Sequence, residues 1–199
     1  MAAVATTFQG VEHRLEIVRE RGGVWWRLST FATDDADAAN LDSSIIPSFH
    51  GNVDGAILTG SRLPEDSIDA FGRTLPLVAI SRPIASDVID TVNNDDHLGA
   101  MMVVDHLVSL GHRHICHLDG GGFAGAVLRR QGYEDAMRRH GLEPHVISSQ
   151  FTEAAGYEAA ERALRGDRPI TAIFAGNDMS ALGALDAIDA IGLRVPTDI

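Results

Sequence analysis

The chain has 199 residues, 45% hydrophobic and 22% charged, enough for one large domain or two small ones with real cores. Sixteen basic against 28 acidic residues leave a net charge of −12, with no cluster of Lys and Arg to neutralise a phosphate backbone, so this stretch is not expected to grip DNA by itself. No apolar run approaches the roughly 18 residues that cross a bilayer, and a single cysteine, Cys116, excludes an internal disulfide.

The opening Met1-Ala-Ala-Val-Ala-Thr-Thr lacks the basic and apolar regions of a secretory signal, which points to a cytoplasmic protein. Apolar spacing then predicts a helix over residues 8–21, ended by Gly22-Gly23, a strand over 24–29 and a helix over 34–49. Strand 53–59, a short helix at 64–72, strand 77–81 and an extended piece at 88–92 follow. The second half alternates more cleanly. Helix 95–110 stops at Gly111, strand 114–118 carries Cys116 as a buried inert thiol, and helix 126–140 stops at Gly141. Strand 146–149, helix 153–165, strand 171–175 and helix 179–191 complete the series. Alternation of this kind predicts an α/β fold with mainly parallel sheets.

Three places carry candidate chemistry. At 171–191 a short strand runs into Gly176-Asn177-Asp178 and then an Ala/Leu-rich helix. Asn177 or Asp178 can cap that helix, and a polar side chain at a strand's carboxyl end facing a helix N-terminus is where open α/β sheets hold ligands. After strand 114–118 comes Asp119-Gly-Gly-Gly-Phe123, where Gly120, Gly122 and Gly125 match the spacing of a dinucleotide fingerprint. No acidic partner lies at a strand end about 20 residues on, so that match is weak. His106, His112, His114 and His117 lie close in sequence, but His114 and His117 point to opposite faces of a strand and no Cys or carboxylate completes a metal set. Gly132 inside a helix implies that something packs closely against it.

Several segments resemble the effector-binding core of LacI/GalR-type transcriptional regulators. Asn177, Asp178, Ala181 and Gly183 match an Asn-Asp-x-x-Ala-x-Gly segment. Gly192, Val195, Pro196, Asp198 and Ile199 match Gly-x-x-Val-Pro-x-Asp-Ile. Asp95-Asp96-His97-Leu98-Gly99-Ala100 stands where the family has Asp-Asn-x-x-Gly-Ala; Gly111-His112-Arg113-His114-Ile115 matches Gly-His-x-x-Ile; Arg129-Arg130-Gln131-Gly132-Tyr133 matches Arg-x-x-Gly-Tyr; and Val53-Asp54-Gly55-Ala56-Ile57 matches Val-Asp-Gly-Ile-Ile.

The resemblance implies two doubly wound, parallel-sheet subdomains of the type I periplasmic-binding-protein kind, residues 1–94 and 95–199, with a ligand cleft between them. The family pattern opens with a strand and continues past Val-Pro-x-Asp-Ile, so the chain is expected to lack a first strand and the last elements. By resemblance the ligand contacts are Arg129 and Asn177, with Ser81 (where the family favours Asp), Asp95, Phe123 and Gly125. Asp96 is expected to serve as a helix cap and first-turn carboxylate, and Arg130 as a solvated helix arginine. The implied function is sensing of a small polar molecule, a sugar or related metabolite. No cofactor, metal, membrane or catalytic role is implied. Operator DNA is reached only through a separate headpiece, and the core forms a homodimer. Two rival readings are a periplasmic sugar-binding protein of a transporter and an enzyme using the glycine-rich loop, for which no nucleophile–base pair or metal set is present in the sequence.

Overall fold

The computed structural model describes residues 2–6, 17–21, 24–31, 53–59, 63–123 and 125–199. The chain divides into two compact units, Met1–Asn94 and Asp95–Ile199.

In the first unit, strands β1 (Ala2–Thr6), β2 (Ile17–Arg21), β3 (Val24–Phe31), β4 (Gly55–Thr59), β5 (Leu77–Ile80) and β6 (Ile89–Val92) lie in the order β2-β3-β1-β4-β5-β6. All neighbours are parallel except β2, which runs antiparallel to β3 with Ile17 opposite Leu28 and Arg21 opposite Val24. Helix α1 (Glu65–Gly72) turns Ile68 and Phe71 onto Leu58, Leu77, Ala79 and Ile89. Glu65 and Asp66 in its first turn suit the positive end of the helix dipole.

Two expectations are corrected here. An opening strand is present, because Ala2–Thr6 fits between β3 and β4. Residues 17–21 are strand, not the end of a helix. The helical spacing of Val18 with its predecessors is overridden by antiparallel pairing with β3, which begins at Val24, three residues after Arg21. The remainder of the helix expected at 8–16, and the helix expected at 34–49, lie outside the described residues.

The second unit holds a parallel sheet in the order β8 (His145–Ile147), β7 (Ile115–Leu118), β9 (Ala172–Ala175). Helices α2 (Asp96–Ser109) and α3 (Ala126–Arg139) bury Val104, Tyr133 and Met137 against Ile115 on one face. Helices α4 (Glu153–Arg165) and α5 (Asp178–Ala190) bury a run of alanines against Cys116 and Leu118 on the other. Glycine brings both helix pairs close. A Cβ on Gly132 of α3 would strike the His97 carbonyl of α2, and one on Gly183 of α5 would strike the Glu153 carbonyl of α4. Cys116 is fully buried, and burial pushes its thiol up to about 12, so it is no nucleophile at neutral pH.

From β7 the chain passes through α3 to β8 on one side, then through α4 to β9 on the other. Strand order therefore reverses at β7. In open parallel sheets that reversal leaves a crevice at the carboxyl ends of the strands. The loops that follow β7, β8 and β9 define this edge.

Candidate functional site

Arg129 lies in the first turn of α3, and three contacts fix it. Its Nε donates to Asp96 Oδ1 at the start of α2 (3.0 Å). Its Nη1 donates to the Gly176 carbonyl just after β9 (2.6 Å). Its Cζ sits 5.6 Å from the centroid of the Phe151 ring, in the loop after β8. One guanidinium thus gathers elements from all three loops. The Nη2 edge makes no hydrogen bond among the described residues. It lies beside Gly125, where an added Cβ would come within 3.3 Å of it. Gly125 has φ +75°, a left-handed conformation that brings the chain into α3 without a side-chain cap.

Phe151 and Phe123 form a tilted ring pair, centroids 5.3 Å apart. The glycines on either side of this pair have a packing reason. A Cβ on Gly120 would overlap the Phe151 ring, and one on Gly176 would lie 2.8 Å from it. The three-glycine loop therefore receives the protein's own phenyl ring, which accounts for Gly120 without a nucleotide.

Asp119, at the carboxyl end of β7, is only 3% exposed. Its Oδ1 accepts from Gly121 N and Ser149 N (3.1 Å each), tying the glycine loop to the loop after β8. Its Oδ2 takes Arg130 Nη1 at 3.3 Å, and Arg130 Nε reaches Glu134 at 2.9 Å. Arg130 is exposed, as expected of a solvated helix arginine, and it also pairs with a buried carboxylate. Two residues before Asp119 on the same strand, His117 is fully buried between Phe174 (stacked, 4.5 Å) and Tyr133. Its Nδ1 pairs with the Phe174 carbonyl (2.9 Å), while Nε2 has no partner among the described residues. Burial holds its pKa below the usual imidazole value, although Phe174 O and Asp119 act the other way.

Asn177 caps α5, its Oδ1 accepting from Ser180 N (2.9 Å), and its Nδ2 donates to the Phe151 carbonyl (3.3 Å). Asp95 is the cap of α2, accepting from Leu98 N (2.9 Å). The cap expected of Asp96 belongs to its neighbour, which frees Asp96 to hold Arg129. Arg129, Asp95, Phe123, Gly125 and Asn177 all belong to the carboxyl-edge loops and helix starts of the second unit. Ser81 belongs to the first unit, exposed at the end of β5 with φ +62°, its N–H donating to the Val92 carbonyl (2.9 Å). Left-handed backbone at a residue other than glycine carries strain of the kind found at ligand clamps. Asp96, Gly176, Phe151 and Asp119 take part as well: Gly176 and Asp119 lie in stretches singled out from the sequence, Asp96 was expected only to serve its helix start, and Phe151 was not foreseen.

Elsewhere in this unit a cavity of about 340 Å³ opens at the amino end of the sheet, lined by Arg113, His114, His145 and Arg168 among others. Arg113 there donates to the Val108 and His112 carbonyls past the end of α2, a helix-terminus role. No group of three or more His, Cys, Asp or Glu placed to hold a metal occurs among the described residues. No described helix is long and apolar enough to cross a membrane.

Comparison with known proteins fits this geometry. Residues 104–199 match the periplasmic binding protein-like domain. Curated relatives include the "Probable HTH-type transcriptional repressor ExuR" of Bacillus subtilis, 34% identical over 131 residues, spanning 64% of this chain and 39% of that protein. The HTH-type transcriptional repressor CytR of Escherichia coli is 36% identical over 152 residues, 74% of this chain and 45% of that protein. A LacI transcriptional regulator from a Rhodococcus species superposes with a TM-score of 0.81 at 33% identity, covering 86% of this chain and 64% of that one. The chain belongs to the LacI/GalR family. It spans less than half the length of these curated relatives. The relatives are transcriptional repressors, which favours the regulator reading over a transporter's binding protein. The fold is accordingly α/β with parallel-strand sheets of the periplasmic-binding-protein type.

Proposed function

We propose that this LacI/GalR-family chain is the effector-sensing core of a transcriptional regulator, and that its second unit seats a small polar molecule, a sugar or related metabolite, at the carboxyl edge of its sheet. The observation that carries the reading is the pre-set guanidinium of Arg129. Two hydrogen bonds fix it, and its Nη2 edge makes no hydrogen bond among the described residues. A planar fork of this kind suits paired hydroxyl or carbonyl oxygens. The Phe123 and Phe151 rings offer the apolar face that a sugar's C–H surface or a planar base packs on. Asn177 supports the site through the Phe151 carbonyl, and Asp95, at the start of α2, supplies a further contact.

In this reading the protein is cytoplasmic and homodimeric, carries no catalytic activity, and meets operator DNA through a separate helix-turn-helix headpiece. Ligand would act by differential affinity for the two states of the core, shifting the population that binds operator. The test is a thermal-shift panel of neutral sugars and nucleosides, followed by calorimetric titration of each hit against Arg129→Ala. Losing a partly buried, charged hydrogen-bond donor should weaken binding roughly ten- to hundredfold. Arg165→Ala, at an exposed arginine whose partner among the described residues is Glu161 in its own helix, serves as the control. Hits that bind both variants as tightly as wild type would place the seat elsewhere.

A further inference from the structure

Resting on the seat just proposed, we infer that Asp96 is a specificity determinant: it neutralises Arg129 and so restricts this site to ligands with no negative charge at the arginine contact. Asp96 brings a full negative charge to the guanidinium, 3.0 Å from Arg129 Nε. Asn would offer the same acceptor oxygen to Arg129 Nε without the charge. The substitution thus changes the electrostatics of the site while leaving the hydrogen bond possible.

The carboxylate is not free to swing aside for an incoming anion. Oδ1 is held by Arg129 Nε, and Oδ2 lies against Gly125, where an added Cβ would sit 2.5 Å away. The pair is sheltered, with side chains 27% and 14% exposed, so solvent and salt screen it less than a surface bridge. The neighbouring charges do not restore a positive field. Arg130 is committed to Asp119 and Glu134. Asp95 caps α2, and Asp178 occupies the first turn of α5. A carboxylate or phosphate brought to Arg129 Nη2 would therefore meet Asp96 as a like charge within a few ångströms. A neutral hydroxyl or carbonyl would keep the hydrogen bond and avoid the repulsion. The ligand class that follows is a neutral polyol, sugar or nucleoside, as opposed to a uronic acid or a phosphate ester.

The test uses the intact chain and two anionic probes, inorganic phosphate and D-glucuronate, with D-glucose as the uncharged counterpart of the second. Wild type, Asp96→Asn and Asp96→Asn/Arg129→Ala are titrated by calorimetry at low salt, with circular dichroism to verify folding. Asp96→Asn should bind at least one anion at least about tenfold more tightly than wild type, as removal of a like charge at this range in a partly sheltered site requires. The gain should vanish in the double variant, which ties it to Arg129. Equal anion affinity in wild type and Asp96→Asn, including no measurable binding by either, would overturn the inference. A gain that survives in the double variant would overturn it as well. The seat itself is judged separately. If Asp96→Asn gains anion binding through Arg129 while no neutral ligand depends on Arg129 in wild type, the charge inference stands and the proposed seat falls.

Discussion

Gly183 offers a sharp measure of how the second unit is held together. It sits in the middle of α5, where alanine would ordinarily stabilise a helix by about 1 kcal/mol. Here a Cβ would collide with the Glu153 carbonyl and lie 2.6 Å from the Tyr157 backbone nitrogen of α4. Both obstacles are backbone, so no side chain can rotate away and the two helices must separate. Overpacking of this kind costs about 1–3 kcal/mol, and a helix–helix contact blocked by backbone belongs at the upper end. Net of the propensity gain, Gly183→Ala should destabilise by about 2 kcal/mol. Gly99, exposed at the end of the first turn of α2, is the control, because a Cβ added there would meet nothing within 4 Å. Gly99→Ala should stabilise by about 0.5–1 kcal/mol. Urea melts followed by far-UV circular dichroism would read both signs. A Gly183→Ala protein as stable as wild type would refute the close α4–α5 packing.

Further outcomes follow from the loops. Asp119→Ala strips the acceptor from two backbone N–H groups and leaves Arg130 short of a partner; a loss of about 2–3 kcal/mol is expected in chemical denaturation, with Asp119→Asn milder because Oδ1 remains. Asn177→Ala removes the α5 cap and should cost about 1 kcal/mol, whereas Asn177→Asp keeps the cap and loses only the donor to Phe151. His117 is held neutral by burial, so its folded pKa lies below the unfolded value of about 6.5. The unfolded chain then takes up the proton first as pH falls. Stability from this group is complete above about pH 6.5 and declines below it, and His117→Phe should flatten the fall between pH 7 and pH 5 in urea midpoints.

The second unit was legible because its signals are local. Gly111, Gly141 and Gly192 all take positive φ where helices were expected to stop, and Asn177 caps where a cap was expected. The close approach predicted for Gly132 is to the backbone of His97. In the first unit, Ala2–Thr6 has no alternating pattern, and its strand identity comes only from its two parallel neighbours. At the site, resemblance pointed to Arg129 and Asn177, but nothing in the local pattern joins Asp96 to Arg129 across 33 positions. Phe151 was equally hidden. Its signal was indirect, a glycine loop and Gly176 kept bare to admit a ring. The partner of Arg130 was hidden too, because Asp119 is buried only once β7 and the loop after β8 are assembled.

Whether ligand sits at the carboxyl edge of the second unit's sheet, against Arg129, is decided by a crystal structure of the protein with the tightest neutral ligand from the panel. A ligand oxygen is expected within about 3.2 Å of Arg129 Nη2, with the ligand's apolar face on Phe123 or Phe151. A ligand seated instead at the amino end of the sheet, among Arg113, His145 and Arg168, would contradict it.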